Sequence, residues 1–294
     1  MPFGKSAKKI RLGGPYFGRA RDPQTLVDYH LRNGFAAAYD PGVRDPVLLD
    51  EIVQAYADAD IIIAETGAYG INILEPDDAK REHNIQEICR RLERAEKIGA
   101  RICVGHGGRI PSRRWGASFH NPENFSQASI EKTVLAVQRI LDTVKPVRAK
   151  YGLETESRYL PDSPDIYLEL IKAVDRPGFG VHLDPINITS SPRRLYFNGD
   201  FIRDCFAKLG PYIASCHAKD TQMMRHSQVR FDETFAGNGA LDFDAYLSEL
   251  AKLEADVPLM IEHVNARQTV WARDFLYQKA KELGIAIRHS EKRV

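Results

Sequence analysis

The chain has 294 residues, 41 basic and 40 acidic side chains, a net charge of +1, 43% hydrophobic and 28% charged residues. Those proportions exclude a disordered polymer and allow one large domain with a substantial core. Balanced charge, with a pI near 7.7, removes any global case for nucleic-acid binding.

Short apolar runs predict strands at residues 9–13, 35–39, 61–65 and 101–106. In the long segments between them, Ile85, Ile88, Leu92 and Ala95 recur at helical spacing, as do Ile130, Val134, Val137 and Leu141. The alternation continues with strands at 152–156, 179–184, 213–218 and 258–262, and helices at 166–174, 201–209, 243–253 and 270–283. Ser163 before Pro164 and Asp165 reads as a capped helix start, and Asp242 reads as another cap. Eight strands each followed by a helix predict a single (β/α)8 TIM barrel over residues 1–294, an α/β fold. An open doubly wound sheet is the alternative, but Gly13-Gly14-Pro15 does not continue into a G-x-G-x-x-G fingerprint.

Cys89, Cys103, Cys205 and Cys216 show no C-x-x-C spacing and fit reduced thiols. Met1 to Lys9 has no apolar run behind it, and no apolar stretch is long enough to span a membrane. The expected location is cytoplasmic, with neither membrane nor nucleic acid as partner.

Polar groups of one kind gather at the ends of the later strands, where barrels carry their catalytic groups. Glu154 ends the fifth strand, Asp184 the sixth, His217 lies in the seventh, and Glu262 ends the eighth. A carboxylate after a strand is usually a helix cap or ion-pair partner, and a lone histidine in an apolar run is usually a core residue. Four together would bury uncompensated charge, and a shared cation is the simplest remedy. Three carboxylates and one imidazole suit Mn²⁺, Mg²⁺ or Co²⁺.

At Leu153-Glu154, Gly180-Val181-His182-Leu183-Asp184, His217-Ala218-Lys219-Asp220, Gly237-Asn238-Gly239 and Ile261-Glu262, the chain resembles the sugar isomerase/epimerase superfamily. These xylose-isomerase-like TIM barrels include ketose 3-epimerases, inosose-processing enzymes and apurinic-site endonucleases. The resemblance runs from about Lys9 to the last helix. It implies one divalent cation, Mn²⁺ first with Zn²⁺ among the alternatives, held by Glu154, Asp184, His217 and Glu262. Glu156 is the fallback ligand if the fifth-strand register is off by two. It further implies an isomerase or epimerase acting through an enediolate on a small carbohydrate, with Glu154 and Glu262 as the proton-transferring pair. Dimers and tetramers are common in that family, which leaves a homo-oligomer open.

Expected substrate contacts are His106 at the fourth strand end, Glu65 at the third, Glu156, Asn187, Lys219 and Arg230. Asp220 is expected to cap a loop. Two departures bear on the substrate. Asn187 stands where the epimerases usually have a histidine, and Met223 and Met224 stand where a substrate arginine is usual, leaving Arg225 or Arg230 as substitutes. A keto-glycoside lyase using the same proton abstraction is therefore the alternative function. An endonuclease-like hydrolase is disfavoured because Phe231, Glu233 and Asn187 occupy positions of its further zinc ligands. A non-catalytic scaffold is disfavoured by the intact quartet. His182 and His263 adjoin the ligands and are expected on the opposite faces of their strands, in structural roles. The loop from Pro111 to Ser126, with Arg113, Arg114, Trp115, Phe119 and Phe125, reads as a lid or subunit contact. Arg193 and Arg194 are expected in solvent, and Trp271 in packing.

Overall fold

The computed structural model describes residues 9–112, 121–225 and 227–288. Its elements begin with β1 (Lys9–Gly13), α1 (Pro23–Arg32), β2 (Ala37–Tyr39), α2 (Pro46–Asp58), β3 (Ile62–Gly67), α3 (Asp78–Ile98) and β4 (Ile102–Gly105). They continue with α4 (Gln127–Val144), β5 (Lys150–Glu154), α5 (Pro164–Val174), β6 (Phe179–Leu183), α6 (Pro192–Tyr196), α7 (Asn198–Leu209) and β7 (Ile213–Met223). Last come β8 (Phe231–Phe235), α8 (Phe243–Leu250), β9 (Pro258–Ile261), α9 (Ala266–Glu282) and β10 (Ala286–Ile287). The strand order runs from β1 to β7 and returns to β1 through β9, so the fold is a closed eight-stranded parallel barrel with helices. This is the predicted architecture.

By internal packing the chain divides into two compact units. The first takes residues up to 62, 190–207 and from 216 onward. Within it β1 pairs in parallel with β2 and β9, with Leu12 opposite Leu259, and β9 pairs with β7, with His217 opposite Met260. Arg11, buried on β1, ties this unit's base together by ion pairs to Asp60 (3.1 Å) and Asp256 (2.8 Å). The second unit takes 63–189 and 208–215. Within it β3, β4, β5 and β6 pair in parallel, with Val104 opposite Gly152 and Glu154 opposite His182. Cys103, Val104, Leu153, Val181 and Leu183 are fully buried. That is why these strands read as unbroken apolar runs rather than alternating ones.

Helix starts follow the local chemistry. Ser163 accepts from Ile166 N with Pro164 at the first helical position, and Asp242 accepts from Ala245 N at 2.9 Å, both as expected. Such caps are each worth about 1 kcal/mol. The strands differ from the prediction mainly at their limits. The fifth begins at Lys150 rather than 152. Lys150 keeps its ammonium at the Pro177 carbonyl, 2.6 Å away, so a charged residue opens a buried strand. The seventh runs on to Met223 and turns back as β8, antiparallel to it, with Lys219 opposite Phe235. Polar residues from Lys219 to Gln222 hid this hairpin, because they match no buried-strand pattern. Among the described residues no helix is long and apolar enough to cross a membrane. Of the expected lid, Arg113, Arg114, Trp115 and Phe119 lie outside the described residues, while Phe125 ends a short 3-10 turn and is 43% exposed.

Helices α1 and α2 meet at His30, whose ring is 5.3 Å from that of Tyr56 and whose Nδ1 is 2.8 Å from the Leu26 carbonyl. Burial lowers its pKa from 6.5 to about 4. The unfolded chain therefore takes up this proton first as pH falls. The contribution of neutral His30 is intact above about 6.5 and is lost as pH drops towards 4. Each unit of the shift is worth about 1.4 kcal/mol. Urea unfolding at pH 7 and pH 4.5 should show the parent losing on the order of 2 kcal/mol more than His30→Gln. Equal acid losses in the two proteins would contradict a neutral buried His30.

Candidate metal centre

Glu154 closes β5 and Asp184 follows β6; they are 6% and 0% exposed. Thr155 fastens the two strand ends: its hydroxyl donates to the Asp184 carbonyl (2.7 Å) and accepts from the Asp184 amide (3.0 Å). Asp184 Oδ1 accepts the amides of Ile186 and Asn187 at 3.0 and 3.3 Å, which sets the turn. That turn delivers Asn187, whose Nδ2 donates to Glu154 Oε1 at 3.0 Å. His106, just past β4, has Nε2 3.5 Å from Glu154 Oε2 and lies between the rings of Tyr69 and Tyr159, at 5.4 and 5.7 Å.

Glu65 on β3 accepts from the Tyr69 hydroxyl at 3.3 Å and lies 3.8 Å from His182 Nδ1. The same nitrogen is 2.5 Å from Ser215 Oγ. His182 is thus not on the far side of its strand from Asp184. Side chains alternate with period two, so residues two apart share a face. Glu156, by contrast, is held at Oε1 by Arg158 Nε, 3.0 Å away, in an ion pair of its own.

On β7, His217 is 1% exposed, its Nδ1 is 3.1 Å from Glu262 Oε2, and its carbonyl accepts from the Tyr246 hydroxyl at 2.8 Å. Lys219, also 1% exposed, places Nζ 2.9 Å from Glu262 Oε2 and 3.1 Å from Glu233 Oε2. His263 joins the same group at 2.7 Å from Glu233 Oε1. Burial acts to raise the Glu233 carboxyl, but the hydrogen bond from His263 and the Lys219 charge outweigh it and leave it lowered. His263 is raised in turn, chiefly by its hydrogen bond to Glu233. It takes a left-handed φ of 52° and is largely exposed, consistent with a place outside the buried set. Arg230 lies apart from this group, paired with Asp232 at 2.7 Å on β8.

Asp220 performs the expected loop cap and more. Its carboxylate accepts the amides of Thr221, Gly237, Gly239 and Leu241 at 2.8–3.2 Å. A Cβ on Gly239 would collide with that carboxylate, so the Gly237-Asn238-Gly239 motif serves this close approach. Trp271 packs on Phe235 at 5.5 Å, and Arg194 lies over Phe201 at 5.0 Å.

Glu154 and Asp184 stand at the ends of two paired strands of the second unit, and His217 lies beside Glu262 in the first; these are the four residues of the predicted quartet. Its oxygen-rich donor set fits a hard or borderline divalent cation. Sequence reasoning missed Ser215, Tyr69, Tyr159 and the Glu233–Lys219 pair. The first three look like ordinary core residues, and Glu233 gains its place only through the unread hairpin.

Residues 27–284 match the xylose isomerase-like TIM barrel family. An uncharacterized protein of Methanocaldococcus jannaschii is 21% identical over 72% of this chain and 67% of its own length. Three solved structures superpose over nearly the whole chain. A xylose isomerase-like TIM barrel protein from Mycobacterium smegmatis in complex with magnesium is 16% identical, with TM-score 0.62, covering 95% of this chain and 98% of its own. The D-psicose 3-epimerase of Clostridium cellulolyticum H10, solved with D-tagatose, is 15% identical, with TM-score 0.66, covering 93% and 99%. The probable 3-DHS dehydratase AsbF of Bacillus anthracis is 18% identical, with TM-score 0.66, covering 94% and 98%.

The Asp220 cradle gives a stability test independent of catalysis. Asp220→Ala strands four amides, those of Thr221 and Leu241 buried, and should cost about 3 kcal/mol in chemical denaturation. Asp220→Asn keeps one accepting oxygen and should lose distinctly less. Similar losses in the two variants would mean that the carboxylate's hydrogen bonds do not hold the loop.

Proposed function

The chain belongs to the xylose isomerase-like TIM barrel family, and from that premise we propose that it is a metal-dependent enzyme of carbohydrate isomerisation or epimerisation. The observation that carries this reading is the burial of acidic strand ends within each unit, Glu154 and Asp184 after β5 and β6, and Glu262 with its Oε2 3.1 Å from His217 Nδ1; we propose these four as the ligands of one cation. A bound divalent cation, Mn²⁺ first and Mg²⁺, Co²⁺ or Zn²⁺ as alternatives, supplies Lewis-acid polarisation of a substrate carbonyl and so acidifies the neighbouring C–H bond.

In this reading Glu154 and Glu262 take and return the proton on carbon. Each is positioned by neighbours. Asn187 Nδ2 fixes Glu154 Oε1, and Lys219 Nζ fixes Glu262 Oε2. Asn187 can hydrogen-bond a substrate hydroxyl but cannot act as acid or base, so proton transfer falls to the glutamates. His106, between two tyrosine rings and partly exposed, is the proposed contact for the far end of the substrate, with Glu65, Asn187 and Lys219 around the reacting carbons. Glu156 and Arg230 would have to leave Arg158 and Asp232 to take part.

The likeness to a dehydratase, together with Asn187 in the place of the usual histidine, supports elimination as the second reading. There the same proton abstraction next to a carbonyl is followed by loss of a β-substituent, as in a keto-glycoside lyase.

Metal analysis after dialysis against Mn²⁺ should find one ion per chain, and His217→Ala should weaken binding by more than about 10–100-fold while the barrel stays folded. Full occupancy in that variant would remove His217 from the ligand set. Screening ketoses, inososes and keto-glycosides by NMR in D₂O should reveal deuterium entering a carbon next to a carbonyl. At saturating Mn²⁺, Glu262→Gln should lose about 10²–10⁴-fold of that exchange. Exchange at the parent rate would leave Glu262 as a ligand only; turnover without any deuterium entering carbon would overturn proton transfer itself.

A further inference from the structure

A cavity of about 260 Å³ lies against α1, α2 and the segments following β1 and β2, and none of the quartet lines it. Its lining includes Tyr16, Tyr39, Tyr56 and His30, with Arg21 and Asp40. His30 and Tyr56 are each 2% exposed, while Arg21 is exposed, so the cavity has a buried end and a charged rim.

The chemistry of the buried end follows from one hydrogen bond. His30 Nδ1 is 2.8 Å from the Leu26 carbonyl, which can only accept, so Nδ1 carries the proton. Burial keeps the ring neutral. Nε2 is therefore a bare lone pair, and no partner for it exists among the described residues. The Tyr56 hydroxyl also lacks a partner there, and burial holds it protonated. The two rings meet edge to face, 5.3 Å apart. Neither atom is sealed off, so one acceptor and one hydroxyl open onto a cavity with aromatic walls.

The geometry points to a second small-molecule site here, one that takes a hydroxylated aromatic ring, with its hydroxyl donating to His30 Nε2 and accepting from the Tyr56 hydroxyl. A phenolic hydroxyl performs both roles at once. Tyrosine rings favour edge or offset contact with another aromatic ring. A free sugar is a poor match, since it brings many hydroxyls to a buried end that offers two partners. The volume lies just below the roughly 300–1,000 Å³ of drug-sized sites, which suits a single ring. Charged Arg21 and Asp40 can meet a polar substituent at the rim. The site also touches the strand of Glu262: the Tyr39 hydroxyl donates to the carbonyl of Ile261, the preceding residue, at 3.1 Å. The inference rests on this cavity alone and stands whether or not the sugar reading holds.

The test uses the full chain with ¹⁵N-labelled histidine, titrated with phenol, with toluene and D-fructose as controls. Phenol should saturate one site per chain and shift the His30 Nε2 resonance. Toluene, which has the ring without the hydroxyl, should bind on the order of 3–10-fold more weakly, the worth of one net hydrogen bond. Fructose should leave the His30 resonance in place. Tyr56→Phe keeps the ring and should weaken phenol by a similar factor while leaving toluene unchanged. An unmoved Nε2 at high phenol, equal affinity for toluene, or a fructose shift as large as that of phenol would each overturn the assignment. Should Tyr56→Phe fail to fold, the parent's Nε2 shift and the phenol-to-toluene ratio decide the matter.

Discussion

An ammonium removed from water costs several kcal/mol unless negative groups surround it, and Lys219 is almost wholly removed. Its partners explain much of the architecture around β7. Glu262 comes from the end of β9, which pairs directly with β7. Glu233 cannot come from the barrel; it arrives because β7 runs on past its barrel portion and folds back as β8. The antiparallel hairpin is thus tied to this buried charge. The loop beyond it is bound in turn to Asp220, the next residue along. Neighbouring side chains of β7 therefore hold the two ends of one excursion, Lys219 through a carboxylate and Asp220 through backbone amides.

A different solution appears at β5 and β6. Here neutral donors reach the carboxylates, the Asn187 amide that of Glu154 and backbone amides that of Asp184, while the Thr155 hydroxyl fastens the strands through the Asp184 backbone. Neutral donors orient a carboxylate without cancelling its charge. Carboxylates oriented in this way are the hard oxygen donors that the proposed divalent cation favours. Glu156 shows the contrast two residues further on, where a guanidinium already holds the carboxylate. Both residues satisfy the same strand period, so this pairing of Glu156 with Arg158 is what supports the proposal of Glu154 as ligand.

The legibility of the chain divides along the same line. Barrel strands were readable because burial on both sides demands unbroken apolar runs, and 179–184 and 258–262 match β6 and β9 to within one residue. Strand-end carboxylates stood out against those runs. What stayed hidden was whatever depends on long-range pairing. Glu233 has no local sign of function until β8 folds against β7. His182 lies two residues from Asp184 and so shares its side of the strand, contrary to the expectation of an opposite face. Ser215 follows from the same rule, two residues before His217.

His30 and Lys219 finally show two answers to one constraint. Both are titratable groups almost wholly removed from solvent. Lys219 keeps two carboxylates beside it, and those contacts bind a hairpin to a barrel strand. His30 has no such partner and loses its charge instead, down to a pKa of about 4. A group that stays charged organises the chain around itself, whereas one that becomes neutral can sit among aromatic rings with a lone pair to spare. The first arrangement suits a site that must hold carboxylates in register. The second suits recognition of a neutral ring, and that difference follows from the partners alone, before any ligand is considered.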